Sequence, residues 1–177
     1  MAEFSLIIAG FGGQGVLSAG KLVATAGLIE GKEVSWLPSY GPEMRGGTAN
    51  CSVVISDELI GSPLISNCDA LIALNNPSLE KFEGNVKPNG IIIVDSTLVH
   101  IVPKRKDISF ISIPASEIAS EMGNMTFAGI ILLGALSSVS GSFTRNSFED
   151  ALKDVLPKKH HHLIPQEMEA FDKGKQC

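Results

Sequence analysis

The sequence predicts an α/β domain of three layers, a mostly parallel sheet with a small antiparallel excursion at its edge. Three observations carry this. The apolar run Phe4 to Ala9 leads into Gly10-Phe11-Gly12-Gly13-Gln14-Gly15 and then into an apolar-periodic segment, Val16 to Ile29, as when a buried parallel strand hands over to a helix. Thr48 to Ser56 alternates with period two, as a half-exposed strand does. From Ala70 onward, short apolar runs alternate with helical segments. A chain of 177 residues suits a single domain over residues 1–177, with a core that needs neither disulfide nor metal.

In order along the chain, the helix after the glycines carries Val16, Leu17, Leu22, Val23, Ala26 and Ile29, with Lys21 and Glu30 available to the wet side, and Gly31 is its stop. Val34 to Leu37 is the second strand. This strand, helix and strand make a βαβ unit, which puts the loop after Leu37 at the same sheet edge as the glycine turn. That loop, Pro38-Ser39-Tyr40-Gly41-Pro42-Glu43-Met44-Arg45-Gly46-Gly47, carries two prolines and three glycines, which argue against a regular element. In Thr48 to Ser56, Ala49, Cys51, Val53 and Ile55 share one face. Asp57-Glu58 turns the chain, and Leu59-Ile60 is expected to extend the pairing. Ala70 to Leu74 is a buried strand, Asn75-Asn76-Pro77 opens a short helix to Phe82, and Gly90 to Val94 is a strand ending at Asp95. Ile108 to Ile113 is the last strand. Helices follow at Ser116 to Met122, Thr126 to Val139, Phe148 to Leu156 capped by Thr144, and past Pro165 to Phe171, ending before Gly174. The layout is Rossmann-like.

Composition excludes several functions. A formal net charge of −5, with no basic block longer than Lys104-Arg105-Lys106, argues against a sequence-independent grip on nucleic acid. The most apolar stretch, Phe127 to Val139, is shorter than the ~20 residues a bilayer needs, so no membrane association is expected. No cationic stretch precedes an apolar core at the start, so a secretory signal is not expected either. Cys51, Cys68 and Cys177 lack the spacing of a metal-ligand pair or a disulfide framework, and read as small buried hydrophobes in a reducing cytosol, apart from an exposed Cys177. A cytoplasmic location is the expectation.

The glycine turn reads as a site for something negative. Glycines accept positive φ and let a ligand approach the backbone, while the N–H groups of a helix start attract phosphate. Gly10, Gly12, Gly13, Gln14 and Gly15 are the candidate binding residues, joined by Tyr40, Glu43 and Arg45 from the loop at the same edge. Orthodox NAD binding is disfavoured. The acidic residue expected about 20 positions beyond the glycines is missing from Val34-Ser35-Trp36-Leu37, and Glu33 lies at the start of its strand. Two roles stay open for Asp95, a site acid or a cap. His160-His161-His162 reads as part of a solvated basic patch rather than as a metal site, because adjacent histidines point to different sides. No catalytic residue is assigned.

Gly10 to Val16, taken together with Tyr40-Gly41-Pro42-Glu43-Met44-Arg45-Gly46-Gly47-Thr48, resembles the gamma subunit of the 2-oxoacid:ferredoxin oxidoreductases. The resemblance covers essentially the whole chain, including Asn124 to Leu136 and Pro165 to Phe171. It implies one gamma-type domain in an enzyme that converts a 2-oxoacid and coenzyme A to acyl-CoA and CO2 while reducing ferredoxin. Among members, the 2-oxoglutarate enzyme is the nearest in form, with the branched-chain and pyruvate enzymes next. Alpha and beta subunits, with a delta subunit as an open alternative, are the implied partners. Thiamine diphosphate, Mg and [4Fe–4S] clusters would sit on those partners, with coenzyme A as substrate and no cofactor held tightly by this chain. The alternative is a stand-alone nucleotide-binding regulatory domain or an NAD-type oxidoreductase.

Overall fold

A computed structural model describes residues 3–11, 14–40 (of Tyr40 the backbone) and 48–177. Among these residues six strands form one sheet in the order β2-β3-β1-β4-β5-β6. They are β1 (Glu3–Phe11), β2 (Glu33–Tyr40), β3 (Thr48–Ser56), β4 (Cys68–Ala73), β5 (Val86–Asp95) and β6 (Ser109–Ile113). β1, β4, β5 and β6 run parallel, whereas β3 is antiparallel to both of its neighbours. β2 therefore runs in the direction of β1, and the antiparallel part occupies one end of the sheet.

The helices are α1 (Val16–Ile29), α2 (Asn76–Phe82), α3 (Ala115–Glu121), α4 (Phe127–Ser140), α5 (Arg145–Val155) and α6 (Ile164–Gln176). One face of the sheet packs against α1, α3, α4, α5 and α6 through Leu6, Ile8, Val23, Ile55, Ile72, Ile93, Leu133, Phe148 and Phe171. On the other face, Leu79 of α2 and Val99 cover Ile7, Ala9, Leu71, Ile92 and Val94. That is the three-layer arrangement the alternating pattern predicts.

Local chemistry sets the helix ends. At the end of α1, Gly31 takes φ +80, with Gly31 N–H donating to Leu28 O at 2.9 Å and Lys32 N–H to Gly27 O at 3.1 Å. This double bond satisfies carbonyls the helix leaves open. α5 starts in a capping box, where Thr144 Oγ1 accepts from Ser147 N at 3.1 Å and Ser147 Oγ from Thr144 N at 3.1 Å. The β5–β6 connection lacks a helix and is strapped down instead. The Glu83 carboxylate accepts from Lys104 N and, at 2.9 Å, from Arg105 N, while Arg105 reaches the Glu83 and Val86 carbonyls.

Three expectations need correction. Residues 38–40 are not loop: Pro38 pairs with Cys51, Ser39 with Asn50 and Tyr40 with Ala49 as the last part of β2. Proline is tolerated there because β2 is an edge strand, where a missing N–H breaks no ladder on the open side. Leu59-Ile60 does not extend the pairing, since residues 57–67 contain no strand. Gly174 does not end the last helix but lies inside α6, where it lets α6 approach Ile131 of α4.

Glu167 of α6 is an anomaly in this packing. It is 7 % exposed, and among the described residues its Oε2 has no hydrogen-bond partner. Burial raises its carboxyl above the usual range. A raised folded-state value means that the fold penalises the ionised form, so the cost appears as pH rises through the carboxylate range and is absent below it. Glu167→Gln should therefore stabilise the chain at pH 7 by about 1 kcal/mol, the gain fading below about pH 4. Urea midpoints across that pH range measure this, and a pH-independent difference would refute it.

Candidate functional site

The site begins where β1 meets α1. β1 and β4 are adjacent and parallel, yet α1 packs on one face of the sheet and α2 on the other. The carboxyl ends of β1 and β4 thus flank a topological switch point, where open α/β sheets bind ligands. Gly15, with φ +77, is the N-cap residue of α1. Among the described residues no side chain caps this helix start, and its first turn contains no acidic residue.

Gln14 spans the crevice. Its Nε2 donates to the Leu74 carbonyl at 3.1 Å, just beyond β4, and its Oε1 accepts from the Phe11 N–H at 2.5 Å, the last residue of β1. The Asn75 Nδ2 also reaches Oε1, at 3.5 Å. Asn75 itself is buried and caps α2, its Oδ1 accepting from Ser78 N at 2.8 Å. Gly10 makes room for this arrangement, because a Cβ there would lie 2.6 Å from Gln14 Oε1 and 3.0 Å from Leu74 Cβ.

The second candidate loop leaves from the same edge. Phe11 pairs with Thr48, and Tyr40 with Ala49, so the end of β1, the end of β2 and the start of β3 lie side by side. Of the predicted site residues, Gly10, Gln14 and Gly15 come together at the β1–α1 turn, with the Tyr40 backbone at the neighbouring strand end. Gly12, Gly13, Glu43 and Arg45 lie outside the described residues, as does the Tyr40 side chain. Leu74 and Asn75 are contributors the sequence reading assigned only to a strand and a helix start.

Other groups near the site fall to structural roles. Cys51 faces α1 and donates to the Val16 carbonyl, with Sγ to O 3.5 Å, and burial pushes its thiol up to about 12. Such a thiol stays protonated and is no nucleophile. Cys68 is likewise pushed to about 12 by burial and lies in the apolar cluster on the opposite face, so the two cannot share a ligand. Asp95 is fully buried and accepts from Ser116 Oγ at 2.5 Å and Thr97 N at 3.1 Å, which makes it a cap rather than a site acid. His161 Nε2 lies 2.9 Å from the Leu156 carbonyl, while His162 is exposed. Among the described residues no group of three His, Cys, Asp or Glu is placed to hold a metal ion, and no helix is long and apolar enough to cross a membrane.

Comparison with known proteins adds the following. Residues 5–177 match the sequence model of the family described as pyruvate ferredoxin/flavodoxin oxidoreductase. Ketoisovalerate oxidoreductase subunit VorA of Methanothermobacter thermautotrophicus is 43 % identical over 173 residues, covering 97 % of this chain but 36 % of the relative. The chain thus spans about a third of the length of such curated relatives. The keto/oxoacid ferredoxin oxidoreductase gamma subunit from Geobacter sulfurreducens superposes with a TM-score of 0.86 and 29 % identity over 99 % of this chain and 96 % of its own. The 2-oxoglutarate:ferredoxin oxidoreductase of Magnetococcus marinus, solved with 2-oxoglutarate, coenzyme A and succinyl-CoA bound, superposes at 0.88 with 28 % identity over 99 % of this chain and 31 % of that one.

Proposed function

Because the chain belongs to the pyruvate ferredoxin/flavodoxin oxidoreductase family, we propose that it serves as the gamma subunit of a 2-oxoacid:ferredoxin oxidoreductase. In this reading it is an accessory subunit, inactive alone, and its glycine turn contacts the phosphates of coenzyme A. The complex would oxidise a 2-oxoacid with coenzyme A to acyl-CoA and CO2, passing two electrons singly to ferredoxin. 2-Oxoglutarate is the first choice of substrate, with ketoisovalerate as the alternative favoured by the 43 % identical relative.

The observation that carries the coenzyme A assignment is the convergence at one sheet edge of the start of α1, which no described side chain caps, and the strand ends on either side of the segment that contains Arg45. Backbone N–H groups at a helix start and an arginine are complementary to a diphosphate. The NAD alternative is opposed by Glu33, which begins β2 and so stands at the opposite edge from the glycine turn.

A [4Fe–4S] cluster held by cysteines does not fit the residues described. The two buried cysteines lie on opposite faces of the sheet, and the third, Cys177, is exposed at its far end in sequence. We assign the clusters, with thiamine diphosphate and its Mg, to alpha and beta companions, a delta companion being an open alternative, whose cofactors supply the carbanion and electron-transfer chemistry. The β2 edge suits burial against such a companion. Trp36 and Leu37, neighbours in sequence and hence on opposite faces, are each 37 % exposed, and an open edge strand is a liability unless covered. The apolar cluster on the α2 side draws on no residue of β2 or β3.

The test is a titration of coenzyme A and of NAD into the assembled enzyme carrying either the wild-type chain or Arg45→Ala. Loss of a charge-assisted contact should cost ~1.5 to 3 kcal/mol of coenzyme A affinity, with NAD binding absent in both. Unchanged coenzyme A affinity in a normally folded Arg45→Ala enzyme would remove this loop from the site. Turnover of a 2-oxoacid by the chain alone would remove the accessory reading.

A further inference from the structure

The Gln14 carboxamide, just before the start of α1, is hydrogen-bonded at both of its ends. Its oxygen takes the N–H of Phe11 at 2.5 Å, so the last N–H of β1 points into the turn, at a side chain rather than along the sheet. Its nitrogen holds the Leu74 carbonyl at 3.1 Å, tying the β1–α1 turn to the β4–α2 turn across sixty positions of sequence. The absence of a Cβ at Gly10 leaves the space in which the carboxamide lies. We propose that Gln14 is a displaceable plug of the crevice between the two turns, and that a phosphate oxygen replaces its Oε1 at the Phe11 N–H. The proposal rests on reading the glycine turn as an anion site and adds a selectivity to it. A neutral amide oxygen makes an ordinary hydrogen bond, whereas an anionic oxygen makes one roughly twice as strong. Phosphate esters and diphosphates can therefore displace the plug, and neutral ligands gain nothing by doing so. Displacement also releases Leu74, so occupancy of the turn is communicated to the start of α2.

Calorimetric titration of inorganic pyrophosphate into the full chain tests this with wild type, Gln14→Ala and Gln14→Glu, each checked by circular dichroism. Gln14→Ala removes the plug and should bind pyrophosphate roughly 10- to 100-fold more tightly, the worth of the two neutral hydrogen bonds, to Phe11 and Leu74, that no longer have to be broken. Gln14→Glu keeps an acceptor and makes it anionic, and should bind more weakly than wild type. In the wild-type chain, saturating pyrophosphate should shift the Gln14 side-chain amide resonances and speed their hydrogen exchange. Equal or weaker binding by Gln14→Ala, or side-chain resonances that ignore bound pyrophosphate, would overturn the plug and leave the anion site standing. If none of the three folded proteins binds pyrophosphate or coenzyme A, the anion site itself is wrong and the plug falls with it.

Discussion

Gly174→Ala is expected to destabilise the chain by about 2 kcal/mol or more, although alanine is the better helix former by ~1 kcal/mol. The reason is the crossing of α4 and α6. A Cβ on Gly174 would overlap the Ile131 carbonyl oxygen and lie 2.7 Å from its carbon, and one on Gly134 would overlap the Phe171 carbonyl oxygen and lie 2.9 Å from its carbon. Both obstacles are backbone, which cannot rotate away as a side chain can, so the helices must separate. Overpacking of a close-fitting core typically costs ~1 to 3 kcal/mol and occasionally more, and this one sits beside the buried Phe148–Phe171 stack, whose ring centroids are 4.5 Å apart. Gly129→Ala supplies the contrast, because it lies in the same α4 helix with nothing within 4 Å of its added Cβ. That variant should gain ~0.5 to 1 kcal/mol through propensity and the reduced freedom of the unfolded chain. Urea midpoints that move the same way for Gly129→Ala and Gly174→Ala would refute the account.

The same glycine shows where reading the sequence succeeds and where it stops. Gly31 is legible as a helix stop because its role is local: a left-handed residue after the last turn, accepting no partner from elsewhere. Gly174 looks identical in sequence, yet its role is set by Ile131, more than forty positions away. Pro38 misleads for a related reason. Proline reads as a break, but at the edge of a sheet its missing N–H has nothing to break, and β2 runs through it to Tyr40. Wherever hydrophobic period and capping chemistry are sufficient, as in α1 from Val16 to Ile29 and β3 from Thr48 to Ser56, the expected and observed boundaries coincide.

The candidate site divides along the same line. The glycine turn and its place between strand and helix follow from local pattern, and the shared edge with the end of β2 follows from the parallel strands of a βαβ unit. The partners of Gln14 do not. Leu74 O and Asn75 Nδ2 lie in a connection that pattern identifies only as a strand end and a helix cap, and their contact with Gln14 depends on β4 docking beside β1. Asp95 carries the opposite lesson. A carboxylate at the carboxyl end of a central strand has the address of a catalytic acid, and only its surroundings decide against that.

Asp95→Ala should accordingly cost stability and not chemistry. The carboxylate is 0 % exposed. Its oxygens accept from Ser116 Oγ at 2.5 Å, from Ser116 N at 3.2 Å and from Thr97 N at 3.1 Å. α3 follows Pro114, which offers no side-chain cap, so Asp95 supplies from β5 the acceptor that this helix start lacks. Hydrogen bonds to a charged group are worth ~1.5 to 3 kcal/mol each, and removing the acceptor also strands buried donors. These contributions are not additive, and about 3 kcal/mol in total is expected for Asp95→Ala. Asp95→Asn should fall between, at about 1 to 2 kcal/mol, because one amide oxygen still accepts while the new N–H2 faces the Ser116 donors. Under the proposed role as an accessory subunit, the assembled enzyme carrying Asp95→Asn should keep its coenzyme A affinity and its turnover per folded complex. A hundredfold fall in turnover with an unchanged urea midpoint would restore Asp95 as a site acid, and an unchanged midpoint for Asp95→Ala would show that α3 does not depend on this cap.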